Sequence, residues 1–393
     1  MMVKNIGMRQ LFDIVPEGVL EELAKELGVD KPNQKLTGSI MYKTLIYSTL
    51  SSHRLSLRVM ETMYNSALFQ AIFGTGNTTS HSSLADRLGK LNPVFFERIF
   101  NYLSDKFNTE YASSESKKIV RFDSTIVGTS ALLFPQGMNY SGLTKVRHLK
   151  ITIGQKGCIP TSVQFYTEPE NASEDIALKK AIRAECVEDG EFVLFDRGLT
   201  AAPTFASFSD EGRIFITRVK ENRRFNVVET IYESNDTSIL TTKTLAILSE
   251  QKVQLWNTAT KKFFPHYFRL IRATQLSNGK AILFLTNDFT CSVAAITELY
   301  SRRWEIEVFF RFIKQELNFK HFLARNLNGL KCFLYAVLIA SILFLIYKIS
   351  HNKTGYKIAK MQFYDAIQAE VWCDLAYCCG DHQQKLRTFL GFT

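Results

Sequence analysis

The chain of 393 residues is longer than one hydrophobic core usually organises, so two or more domains are expected. Its 46% hydrophobic and 22% charged content excludes a disordered or fibrous polymer. A formal charge of +10 favours polyanionic partners such as nucleic acid or an anionic membrane surface.

Residues 1–112 read as helical. "PEGVLEELAKELGV" spaces apolar residues along one helix face, and "KTLIYSTLSSHRLSLRVMETMYNSALFQAIF" continues in that mode. "TTSHSSLADRLGKLNPVFFERIFNYLSDKF" predicts two helices, the first opening on its Ser/Thr run and the second at Pro93. Two such helices dock on DNA or pack as a plain hairpin, and no recognition-helix pattern decides between these. "GTGNTT" lacks the lysine and spacing of a phosphate loop and reads as a turn, with His81 after it as a capping or surface residue. The N-terminus, "MMVKNIGMRQLFDIVPEG", lacks the continuous apolar core of a signal peptide.

From Lys117 the texture changes to strands. "KKIVRFDSTIVG", "HLKITIGQ" and "CIPTSVQFYTE" are three of them, with a hairpin signal in "GQKG". "SEDIALKKAIRA" predicts a helix capped by Ser173, "EFVLFDRG" a short buried strand ending at Asp196, "LTAAPTFASFSD" a helix and "GRIFITRVK" a strand. The order β-β-β-α-β-α-β describes a mixed sheet with helices packed on it, an α/β layered core. Residues 221–279 then read as strands with polar turns, the simplest account being a β-rich insertion before the core strand "KAILFLTND".

The helix "YSRRWEIEVFFRFIK", Tyr300 to Lys314, follows. At 100° per residue, Tyr300, Arg303, Glu307 and Lys314 share one face of it, with Arg311 beside them. The excess charge is local: from Arg302 to Lys360 there are eleven Lys/Arg against three acids, the footprint of a phosphate-backbone binder or of a plain solvated face. "CFLYAVLIASILFLIY", Cys332 to Tyr347, is uncharged but reaches only roughly 24 Å, short of a ~30 Å hydrocarbon layer, and so reads as a buried core helix. Seven cysteines without framework spacing point to reduced thiols in a cytosol. Cys373, Cys378, Cys379 and His382 match no common zinc spacing and read as packing thiols.

A glutamate flanked by Arg and Lys is often only an i, i+4 salt-bridge pattern. Two further carboxylates tilt the balance. Asp123 lies within an apolar, β-branched strand, and Asp196 lies where "FVLF" ends. Burying such groups is costly unless they are paired or bind metal. Asp196 alone could be a turn residue capping the next helix. Three acids converging at one end of a sheet would make an oxygen-lined site for Mg²⁺ or Mn²⁺. Two ions there can activate a water or a 3′-hydroxyl and stabilise the leaving oxygen of a phosphodiester.

Tyr300-x2-Arg303-x3-Glu307-x6-Lys314 resembles the Y-R-E-K signature of bacterial insertion-sequence transposases of the DDE class. "DST" at Asp123 and "DRG" at Asp196 look like that family's first and second acidic motifs, and "TRVK" and "LTN" look like its core-strand endings. The resemblance covers roughly residues 115 to 350. It implies an RNase H-like mixed sheet flanked by helices, interrupted by a β-rich insertion and preceded by an all-helical N-terminal domain. On that basis 1–112 is a helical DNA-binding or dimerisation domain, 113–220 and 280–350 the two parts of the catalytic core, 221–279 the insertion and 351–393 a C-terminal helical tail. Asp123, Asp196 and Glu307 are implied as catalytic ligands of two Mg²⁺ or Mn²⁺ ions, and Tyr300, Arg303 and Lys314, with Arg311, as DNA contacts. Relatives stack an insertion aromatic on a flipped base; Trp256 is the candidate here, with a core tryptophan as the plain alternative.

The implied activity is metal-dependent cleavage at transposon ends, then transfer of the 3′-hydroxyl ends into target DNA. Its partners are the element's terminal inverted repeats, target DNA and a second copy in a synaptic homodimer, in the bacterial cytoplasm at the nucleoid and without a membrane. Two alternatives stay open: an RNase H-like nuclease without strand transfer, and a catalytically inactive DNA-binding relative.

Overall fold

The structure is a computed structural model that describes residues 8–110, 119–139, 145–234 and 240–379, and side chains within these over 10–108, 119–139, 145–234 and 240–369. The side chains of Cys373, Cys378 and Cys379, and all of His382, lie outside the described residues. Seven helices come first: α1 Met8–Phe12, α2 Glu17–Glu26, α3 Gly38–Ser51, α4 Leu57–Tyr64, α5 Ala67–Phe73, α6 His81–Lys90 and α7 Pro93–Glu110. Then follow β1 Ile119–Ser130, β2 Val146–Lys156, β3 Ile159–Tyr166, α8 Glu174–Ala184, β4 Phe192–Leu194, α9 Ala202–Asp210 and β5 Ile214–Val219. The next strands are β6 Phe225–Glu233, β7 Leu240–Thr241, β8 Leu245–Asn257, β9 Lys262–Phe263, β10 Phe268–Gln275 and β11 Ala281–Thr286. Four helices end the described chain: α10 Val293–Ser301, α11 Trp304–Glu316, α12 Leu327–Ser350 and α13 Tyr356–Cys379.

The chain folds as two compact units. One is drawn from Met1–Ala112, Val127–His148 and Phe309–Thr393, the other from Ser113–Ile126 and Leu149–Val308. The first is helical. The long helical run read from Lys43 to Phe73 is three helices, because serines restart it: Ser56 accepts from the Val59 N–H and Ser66 from the Phe69 N–H. Gly74, at φ 63°, then ends α5 in the left-handed conformation that glycine adopts at least cost. The start of α6 follows the same rule, with Ser80 accepting from the Ser83 N–H.

At the centre of this unit lies α12, opened by Asn326, which accepts from the Gly329 N–H at 2.8 Å. By length and composition α12 could cross a membrane, but 94% of its apolar window is buried inside the protein. Its neighbours are α3, α6 and α7, with Phe100 against Tyr335 and Phe344 stacked on Phe312 at 5.0 Å. The one hydroxyl in its buried stretch apart from the tyrosines, Ser341, donates back to the Leu338 carbonyl. Cys332 to Tyr347 is thus a core helix, as its length predicts.

The second unit is built on a mixed sheet with the order β3-β2-β1-β4-β5-β11-β10-β8-β6. β1, β4 and β5 run parallel, and the pairs from β5 to β6 are antiparallel. Alternation along the strands sorts the side chains by face. Val120, Phe122, Val193, Phe195 and Phe215 pack with Leu178 and Ile182 of α8 and Phe205 and Phe208 of α9. Ile119, Phe192, Leu194 and Ile216 point the other way and pack with Val293, Ile296 and Tyr300 of α10.

The β-rich segment 221–279 does not make a sheet of its own. β10 pairs with β11 over six residues, so β10, β8 and β6 prolong the core sheet. Strand β8 is continuous where the sequence suggested two strands, and the run "FFPHYFRLIRATQ" is split instead, because Pro265 has no N–H for a ladder. β6 is the outermost strand: among the described residues only β8 pairs with it, and Val227, Val228 and Ile231 are each nearly half exposed.

Candidate active site

Asp123 and Asp196 owe their placement to strand register. β1 pairs with β4 from Ile119↔Phe192 to Arg121↔Leu194. Asp123 lies two residues beyond that pairing on β1, and Asp196 two residues beyond it, just past the end of β4. Asp123 lies in the phase of Ile119 on β1, the face that α10 covers. The Thr217 hydroxyl donates to the Phe195 carbonyl at 3.1 Å and fixes the backbone just before Asp196. Asp123 accepts from the Ser124 N–H at 2.8 Å.

The signature helix is not one helix. α10 stops at Ser301 and α11 begins at Trp304, so Tyr300 sits on a different helix from Glu307 and Lys314. The corner is tight: the Arg303 N–H donates to the Tyr300 carbonyl at 2.9 Å, three residues back instead of four. A long-range contact holds it open, because the Arg121 Nε donates to the Arg302 carbonyl at 2.7 Å.

Within that corner Arg303 is buried and its guanidinium donates to Glu307 at 2.6 Å, an i, i+4 pair. The same guanidinium feels the charges of Asp123 and Asp196. Glu307 is the carboxylate hydrogen-bonded to that guanidinium, whose Nε has no hydrogen-bond partner. Burial pushes the Asp123 carboxyl up to about 6; the Ser124 N–H and Arg303 oppose this, while Glu174 and Glu307 add to it.

Tyr300 is a core residue, 6% exposed and edge-on to Phe284 at 5.3 Å, and burial pushes its phenol up to about 12. Arg311 is exposed and Lys314 half-buried, on the part of α11 counted with the helical unit; the Lys314 ammonium lies 5.0 Å from the Phe310 ring. Trp256, half-buried on β8, meets Phe263 edge-on at 5.0 Å and carries the Arg224 guanidinium 3.9 Å over its ring. It lines a groove of about 640 Å³ together with Arg197, Arg218, Lys220, Arg223 and Arg224. One face of the indole is thus covered by a guanidinium rather than open.

Sequence reasoning gave Lys150 no role and passed over Glu174. The Lys150 amine, fully buried, pairs with Glu174 at 2.9 Å and donates to the Ala172 carbonyl. The Ser124 hydroxyl donates to the other Glu174 oxygen at 3.0 Å and lies 2.8 Å from the Thr152 hydroxyl. This polar group adjoins Asp123 directly. No spacing signal announces it, since its members come from β1, β2 and the start of α8. Ser173 stands at the cap of α8, but its side chain makes no capping bond.

The donors around Arg303 suit a hard divalent cation: carboxylates only, with the ionisation of Asp123 held back chiefly by burial. Among the described residues, however, no three His, Cys, Asp or Glu come close enough to hold a metal ion. Asp123, Asp196 and Glu307 fit Mg²⁺ or Mn²⁺ in chemistry, on condition that Arg303 gives up Glu307.

Residues 116–343, more than half of the chain, match the family model described as "Transposase DDE domain". The chain is 29% identical over 158 residues to the putative transposase y4zB of Sinorhizobium fredii, a span of 40% of this chain and 43% of that one. It is 25% identical over 169 residues to the probable transposase for insertion sequence element IS5377 of Geobacillus stearothermophilus, covering 43% and 42%. In both cases the match spans less than half of the relative. A solved structure, the piggyBac transposase synaptic complex with hairpin DNA, superposes with a TM-score of 0.51 over 99% of this chain and 86% of that one, at 11% identity. That likeness is one of fold, the RNase H-like arrangement anticipated from the sequence.

Proposed function

Because the chain belongs to the Transposase DDE domain family, we propose that it is a transposase that cuts DNA at the ends of its own element and joins the freed 3′-hydroxyls to target DNA. The observation that carries this reading is the buried Arg303 guanidinium, paired with Glu307 at 2.6 Å and within electrostatic reach of Asp123 and Asp196. When bound among these acids, two Mg²⁺ or Mn²⁺ ions supply Lewis-acid activation of the attacking oxygen and charge neutralisation at the leaving one.

The residues do the rest. Arg303, released from Glu307, pairs its planar guanidinium with a backbone phosphate. Arg311 and Lys314 add charge along the DNA backbone. Trp256 and Arg224 together offer a stacking surface for an unpaired base, beside the cations Arg197, Arg218 and Lys220. Tyr300, being buried, serves by supporting the corner that carries Arg303. In cleavage, a water oxygen bonds to phosphorus, the P–O3′ bond breaks, and the 3′-oxygen leaves as a hydroxyl with the proton. In joining, that 3′-oxygen attacks a target phosphorus and displaces the target's own 3′-oxygen, which takes the proton. Bridging two ends calls for a homodimer, acting in the cytoplasm on nucleoid DNA.

The test uses a duplex bearing the element's end, Mn²⁺, and the parent beside Asp123→Ala. The parent is expected to yield 3′-hydroxyl ends and joined products. Asp123→Ala should lose both, by at least about 10³-fold or roughly 4 kcal/mol of transition-state stabilisation, while still shifting the duplex in a gel. Cleavage without joining would point to a nuclease; unimpaired cleavage by Asp123→Ala would remove the reading.

A further inference from the structure

Arg121 is a charged side chain with no solvent exposure, two residues before Asp123 on β1. Each of its nitrogens is engaged. Nε donates to the Arg302 carbonyl at 2.7 Å, one terminal nitrogen to the Gly157 carbonyl at 2.8 Å, and the other to Glu305 at 2.5 Å. The second Glu305 oxygen accepts from the Arg302 side chain at 3.1 Å. Arg302 directly precedes Arg303, and Glu305 lies two residues before Glu307. The same guanidinium therefore grips the strand of the first acid and the first turn of the helix that bears the third.

Burying an ion pair is a poor way to gain stability, since a hydrophobic replacement usually does as well. Burial indeed lowers the Arg121 guanidinium to about 10, with Glu305 opposing. Such groups are retained where they fix a register. The planar fork of arginine satisfies three acceptors in set directions, which the single ammonium of lysine cannot.

We infer that Arg121 is a positioning residue: by clamping the α10–α11 corner to β1 through Arg302 and Glu305, it sets the separation at which Asp123 and Glu307 receive a divalent cation. This rests on the three-acid reading of the site. Outer partners of this kind typically alter metal affinity by about 10–100-fold.

The probe is Mn²⁺ alone, titrated into the full-length chain and followed by electron paramagnetic resonance, beside thermal melting and a gel shift with duplex DNA. Arg121→Lys should weaken Mn²⁺ binding about tenfold and leave the gel shift unchanged. Glu305→Gln, at a half-exposed side chain, should weaken it about threefold with the melt unchanged, and the double variant should be no worse than Arg121→Lys, because both act through one contact. A purely structural role would lower the melting temperature and leave Mn²⁺ affinity alone. Should Arg121→Lys not fold, Glu305→Gln decides: parental Mn²⁺ affinity overturns the clamp. Failure of the underlying reading looks different, because then Asp123→Ala itself would bind Mn²⁺ like the parent.

Discussion

The middle of α12 and the α10–α11 corner are both buried, yet they are held by opposite means. Between Leu330 and Tyr347, α12 presents one lysine and otherwise almost only apolar side chains, and its lone serine bonds within the helix. The corner buries two arginines and keeps three carboxylates close by. The first arrangement gains from every atom removed from water. In the second, charges are kept out of water because their positions matter, and stability is sacrificed locally, as at many functional sites.

The comparison breaks most visibly in the helix. Phe344→Ala removes a ring stacked on Phe312 and packed on Phe363, and should cost about 3–5 kcal/mol in urea denaturation. A loss under 1 kcal/mol would mean that the core is looser than its burial implies. The next effect is on ligand binding. Because the Asp123 carboxyl is held up to about 6, a proton competes with the metal below that pH. Mn²⁺ affinity should rise about tenfold per pH unit up to 6 and level off above it, as read by a titration series; a flat profile would mean that Asp123 is not a ligand.

Asp123→Asn sharpens the contrast on the stability side. Its folded carboxyl titrates higher than the ordinary 3.8, so the stability it contributes is complete below that pH and is lost as pH rises through about 6. The asparagine variant should match the parent near pH 3.5 and exceed it at pH 7 by on the order of 1 kcal/mol, a figure reduced for the group's partial exposure. The smallest change concerns the groove. Arg224→Ala gives up an exposed guanidinium–indole contact and should cost only about 0.5–1 kcal/mol in the same denaturation assay. A larger loss would make the Trp256 pair part of the core.

Much of this was legible in the residues. Alternation along "IVRFDSTIV" marks a half-buried strand, and the apolar run at Cys332 to Tyr347 marks a core helix, because both signals are local. The corner was not legible: "YSRRWEIEVFFRFIK" has helical periodicity throughout, while the carbonyl at the break bonds to Arg121, some 180 residues earlier in the chain. For the same reason the face shared by Tyr300 and Glu307 on a helical wheel does not exist. The Arg303–Glu307 pair survives, since Arg303 stands just before α11 and Glu307 in its first turn. Glu174 and Lys150 stayed hidden because a buried pair joining two elements leaves no period to detect.

The outer margin of the sheet has a practical side. Strand β6, "FNVVETIYE", contains neither proline nor lysine, and its flank, unpaired among the described residues, offers a row of main-chain donors and acceptors edged by valine and isoleucine. An edge of this kind serves as a template onto which another molecule's strand can add. Strand-to-strand association at high protein concentration is therefore expected to start at β6 rather than at the long apolar helix.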